Sequence, residues 1–150
     1  MDRAIAEAFR FLVDQYGFRR VATDGGYSYQ SPTLAIESSF NERDGFETLL
    51  SFPVQGAERI AVGTILGALR IPNPHDEKAH AMFIALNLSR LVALPPEVYS
   101  DLAALRFWHA EDWRQRWGTG ILMDSASIAS ESARLARIKA LFGGSGAQVA

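Results

Sequence analysis

Residues 33–52 read TLAIESSFNERDGFETLLSF, and the fold follows from their pattern. Two alternating runs, TLAIESSF and FETLLSF, flank NERDG, a short segment rich in turn formers, and together they make a β-hairpin signature. Strand side chains alternate between faces, so pairing Phe40 with Phe46 gathers Leu34, Ile36, Ser38 and Phe40 beside Phe46, Thr48, Leu50 and Phe52. That face is expected to pack on a helix. The opposite face carries Ala35, Glu37 and Ser39 beside Glu47, Leu49 and Ser51, a more polar and acidic surface.

The same period of two runs upstream through FRRVAT and YSYQS, broken at Asp24-Gly25-Gly26 and ending before Pro32, so another hairpin precedes this one. Before it, Ile5, Phe9, Leu12, Val13 and Tyr16 recur at helical spacing, which predicts a helix from Asp2 to Tyr16 stopped by Gly17. Downstream, IAVGTILGALRI (60–71) fits a short buried helix or a fifth strand, and we read it as helix. Beyond Pro72-Asn73-Pro74, the run from Asp76 to Leu94 is apolar nearly all round, as in a helix buried on several sides. Pro95-Pro96 opens a further helix that ends at Gly118. A last, serine-rich segment carries a narrow stripe of Ile128, Leu135, Ile138 and Phe142. The expected class is therefore α+β: an N-terminal helix, an antiparallel sheet of two hairpins, and a helical C-terminal half packed on one side. Residues 1–142 would form one domain and 143–150 a flexible tail.

The chain has 150 residues, 48% of them hydrophobic, enough for a single core. Its 17 acidic and 15 basic residues leave a net charge of −2, so no global field draws it to nucleic acid or an anionic membrane. Asp2, Arg3 and Glu7 break up the first apolar stretch, which argues against a secretory signal. No run approaches the ~20 apolar residues of a membrane span, and a cytoplasmic location is expected. The absence of cysteine excludes disulfides and thiolate metal sites.

Motifs that carry chemistry are missing. There is no nucleophile elbow, Walker A loop or dinucleotide fingerprint, so neither a catalytic group nor a cofactor is expected. HDEKAH (75–80) places its histidines five apart, roughly 140° away from each other on a helix, where a metal pair needs them four apart. Glu37 and Glu47 as a catalytic carboxylate pair lack an aromatic platform, and a solvated polar face explains them more simply. His80 and Asn87 share a helix face, and His109 on the next helix could meet them, either as a structural network or as the wall of a pocket.

Charge layout says more. Residues 24–58 hold Asp24, Glu37, Glu42, Asp44, Glu47 and Glu58 against Arg43 alone, a local balance of −5, whereas residues 125–150 are basic. Such polarity suits oriented contact with a basic partner. Phe107 and Trp108 fall off the core stripe of their helix, either sandwiched between layers or exposed as an anchor for a partner.

AFRFLVDQYGF (8–18), followed by short strands and a polar turn before FETLLSF, resembles small bacterial α+β proteins that include immunity proteins of toxin systems. The likeness covers roughly the first 70 residues and implies a binding protein that occludes a partner toxin. The leading expectation is thus a non-enzymatic protein-binding module using Glu37, Glu42, Asp44 and Glu47, with Phe107 and Trp108 as further contacts. The alternative is a small-molecule binder or enzyme with its pocket between sheet and C-terminal helices, at His80, Asn87 and His109. A third reading is a homodimer joined through the Ile128, Leu135, Ile138 and Phe142 stripe.

Overall fold

The structure is a computed structural model that describes residues 2–43, 45–53, 56–69, 71–93, 133 and 136–142. It opens with two short helices, α1 (Asp2–Ala8) and α2 (Arg10–Asp14), in place of one helix from Asp2 to Tyr16. The break falls at Phe9, where φ is −98° and ψ is 8°, and the Leu12 amide closes a tight turn onto the Phe9 carbonyl. Ile5, Phe9 and Leu12 are fully buried on either side of this bend. At the exit, Gly17 takes φ +70°, a left-handed value that costs glycine nothing, and its amide and that of Phe18 reach back to Val13 and Leu12.

Five strands follow: β1 (Arg19–Thr23), β2 (Gly26–Gln30), β3 (Ala35–Asn41), β4 (Gly45–Phe52) and β5 (Gly56–Ala61). They form one antiparallel sheet in sequence order, β1-β2-β3-β4-β5. Both expected hairpins are present, and Phe40 opposes Phe46. The first turns at Asp24-Gly25, with Gly25 at φ +82°. Behind it β2 and β3 approach so closely that a Cβ on Gly26 would lie 1.9 Å from the Ser38 carbonyl oxygen.

The sheet is larger than two hairpins, which corrects the reading of residues 60–71 as helix. Ile60 and Ala61 complete β5, opposite Leu50 and Leu49, and only Val62–Ala68 are helical (α3). One apolar run therefore spans a change of period, because both its strand end and its helix end are buried, through Ile60 and through Ile65 and Leu66.

Helix α4 (Glu77–Val92) starts at Asp76, whose carboxylate accepts the Ala79 amide at 3.0 Å, a cap that satisfies one orphan donor. His80, Ala81, Phe83, Ile84, Asn87, Leu88 and Leu91 are buried, but Met82 and Leu86 are 47% and 44% exposed. Among the described residues α4 is thus covered along one broad face rather than on several sides. Residues 136–142 are helical, and Ile138 and Phe142 are fully buried, Phe142 lying 5.4 Å from Phe83. Half of the proposed dimer stripe is therefore committed to the core; Ile128, Leu135, the helix expected over 95–118 and the tail lie outside the described residues. No described helix is long and apolar enough to cross a membrane.

Helix α1 packs on β2 and α4 on β4, side by side on one face of the sheet. Phe9 stands 5.7 Å from Tyr29 and 6.3 Å from Phe46 at this seam. Burying each such ring is worth about 1.5–3 kcal/mol. Strand β4 alternates buried and half-buried residues along its whole length, so Phe46, Thr48, Leu50 and Phe52 face the helices as the sequence pattern requires.

Candidate functional site

Registers across the ladder stack one residue per strand into rows on the other face of the sheet. One row runs Val21, Ser28, Glu37, Leu49, Ala61, and the next Arg19, Gln30, Ala35, Ser51, Arg59. Between them lies a shallow cavity of about 330 Å³, lined by strand residues only. Glu37 sits in its middle and pairs with Arg59 at 3.5 Å, the two side chains 34% and 59% exposed. An exposed pair of this kind is worth less than about 1 kcal/mol, so it orients the two groups more than it holds the sheet. Apolar Val21 and Leu49, the hydroxyls of Thr23, Ser28 and Ser51, and the Gln30 amide complete a mixed surface of the kind protein interfaces present.

The described carboxylates of the expected acidic cluster, Glu37, Glu42 and Glu47, have separate surroundings. Glu37 is matched by Arg59, which stands one residue beyond the stretch whose charge sums to −5. Glu42 is exposed at the β3–β4 turn. Glu47 turns away from the face altogether. Strand β5 ends at Ala61, opposite Leu49, and among the described residues no strand pairs with the first half of β4 on that side. There the Glu47 carboxylate accepts the Thr48 amide at 2.9 Å and the Gly63 amide at 3.4 Å, while the His75 ring bonds the Phe46 carbonyl at 3.4 Å. These side chains take over the ladder bonds that a longer β5 would supply. The seal is tight: a Cβ on Gly63 would lie 2.9 Å from Glu47 Oε2 and 2.5 Å from Asn73 Nδ2. Asp44, Phe107, Trp108 and His109 lie outside the described residues.

Of the proposed pocket residues, His80 and Asn87 are both buried on α4 but share no hydrogen bond. Asn87 donates to the Phe83 carbonyl one turn back at 2.8 Å and accepts from Arg90 at 3.4 Å. His80 is fully buried, with Nε2 2.8 Å from Asn73 Oδ1 and Nδ1 3.0 Å from Thr48 Oγ1. Asn73 Oδ1 also accepts the His75 amide, so it is an acceptor here and His80 must carry its proton on Nε2, leaving Nδ1 to accept from the Thr48 hydroxyl. Both ring nitrogens are thereby used. Burial, reinforced by His75 and opposed by Asp76, lowers the His80 pKa from 6.5 to about 4. The ring is neutral at pH 7, and the Glu47 carboxylate 3.9 Å from Nδ1 makes a contact rather than an ion pair. His80 is thus enclosed, with both ring nitrogens bonded within the protein. Asn73, its main partner, lies in Pro72-Asn73-Pro74, which reads in the sequence only as a break. Among the described residues no group of three His, Asp or Glu is placed to hold a metal.

Comparison with family models, with curated proteins and with solved structures gives no match to this chain.

Proposed function

We propose that the chain is a non-enzymatic protein-recognition module that engages its partner through the strand-only face of the sheet. The observation that carries this reading is the open row Val21, Ser28, Glu37, Leu49, in which apolar, hydroxyl and charged groups alternate over a shallow concavity with no helical residue lining it among the described residues. Among the described residues no hydroxyl of this face is hydrogen-bonded to a carboxylate or imidazole, and the buried imidazole of His80 has both nitrogens engaged. Glu37 and Glu42 suit a partner with basic groups, since a cation from the partner can compete with the exposed Arg59 for the Glu37 carboxylate. Occlusion of a basic toxin surface, as by an immunity protein, is the specific form this takes.

Affinity capture from the source cell tests it, with Leu49→Asp and Glu37→Arg as paired variants. Both positions face outward, so the variants should fold and melt as the native chain does while losing the captured protein. A partner retained equally by all three proteins would refute this use of the face.

A further inference from the structure

Strand β1 is exposed at all five of its residues and forms one margin of the sheet. Its two-residue turn closes on the Thr23–Gly26 pair, so the ladder bonds to β2 run through Thr23, Val21 and Arg19. The amides and carbonyls of Arg20 and Ala22 therefore point away from the sheet. At the opposite side, Glu47 and His75 bond the corresponding groups of β4; no described residue does so for β1.

Beside the start of β1 lies an open cleft of about 650 Å³, walled on its other side by the flank of α1 and α2. Arg3, Arg10, Arg19 and Arg20 line it against only Glu7 and Asp14, with Ala6, Val13 and Phe18 as an apolar floor. The two carboxylates are taken by Arg3 at 3.4 Å and Arg10 at 2.7 Å. The two strand arginines are engaged with neutral groups instead: Arg19 donates to Gln30 at 2.9 Å, and Arg20 lies 5.1 Å from the centre of the Tyr27 ring. Edge arginines also keep copies of a chain from pairing with each other, since like charges then meet; for the same reason they favour a strand of opposite charge.

We infer that β1 accepts an extended acidic segment of a partner protein as a sixth strand, hydrogen-bonded to Arg20 and Ala22, with alternate carboxylates directed to the arginine-lined cleft. Strand addition draws affinity from main-chain bonds and specificity from every second side chain, which is the division of labour this edge and cleft offer. This site shares β1 with the strand-only face but uses its outer edge and the cleft beside α1, and it stands whether or not that face binds a partner.

The test is an NMR titration of the isotopically labelled full chain with a short blocked peptide alternating glutamate and valine. In the free protein the Arg20 and Ala22 amides should exchange rapidly with solvent; on saturation both should shift and become protected. Replacing Arg10 by Glu should weaken the peptide about tenfold, and Glu7→Gln, which removes one competing carboxylate, should tighten it. The second variant reads a gain, which misfolding cannot imitate. Protection of both amides before any peptide is added, unchanged binding of a peptide N-methylated along its backbone, or equal binding of a lysine–valine peptide would each overturn the proposal.

Discussion

Replacing His80 by Gln should remove most of an acid sensitivity built into the core. The neutral ring is favoured in the folded protein, where its pKa is about 4, and titrates at the ordinary 6.5 when the chain unfolds. Between these values the unfolded chain binds a proton that the folded chain refuses. The contribution of His80 is therefore complete above pH 6.5, falls as pH drops toward 4, and is constant below that. At 1.36 kcal/mol per pKa unit, the loss between pH 7 and 4.5 is about 2 kcal/mol. Glutamine keeps a donor for Asn73 and an acceptor for Thr48 but cannot titrate. Urea unfolding followed by circular dichroism at both pH values, compared between the native chain and the variant, measures the difference directly. Equal losses in the two proteins would refute the burial argument. A native chain gaining stability toward pH 4.5 relative to the variant would show that the Glu47 carboxylate, 3.9 Å away, wins over desolvation.

Two further outcomes test the packing beneath the proposed faces. Glu47→Ala should destabilise by about 1–3 kcal/mol, because it orphans the amides of Thr48 and Gly63, whereas Glu47→Gln, which keeps an acceptor, should cost less than half as much in thermal unfolding. Gly26→Ala drives a methyl group to 1.9 Å from the Ser38 carbonyl and should cost at least about 2 kcal/mol through forced separation of β2 and β3, read as a lowered midpoint in urea; a variant of native stability would mean that the two strands are not held so close.

The central hairpin was legible because alternation reports which face is buried: Leu34, Ile36, Ser38, Phe46, Thr48, Leu50 and Phe52 are all buried, as the pattern implied. The bend at Phe9 was not legible, since the apolar spacing continues through it. Nor was β5, whose apolar residues merge with those of α3 in one uninterrupted run. The fate of the carboxylates was hidden for a different reason. Whether Glu37 faces open solvent depends on Arg59, which arrives from another strand. Glu47 belongs by parity to the outer face but curls round the margin, because β5 is too short to pair with the start of β4. Composition along the chain cannot report either, as both are facts about which strand ends where.

The order of the strands has one more consequence, for how the sheet forms. Every strand lies against its neighbours in the chain, and β1 to β2 and β3 to β4 turn round within two and three residues. Zipping up these ribbons closes only small loops, and each closure forfeits little chain entropy. Among the described elements the longest closure is instead the return of α4 to meet α1, across the whole length of the ribbon.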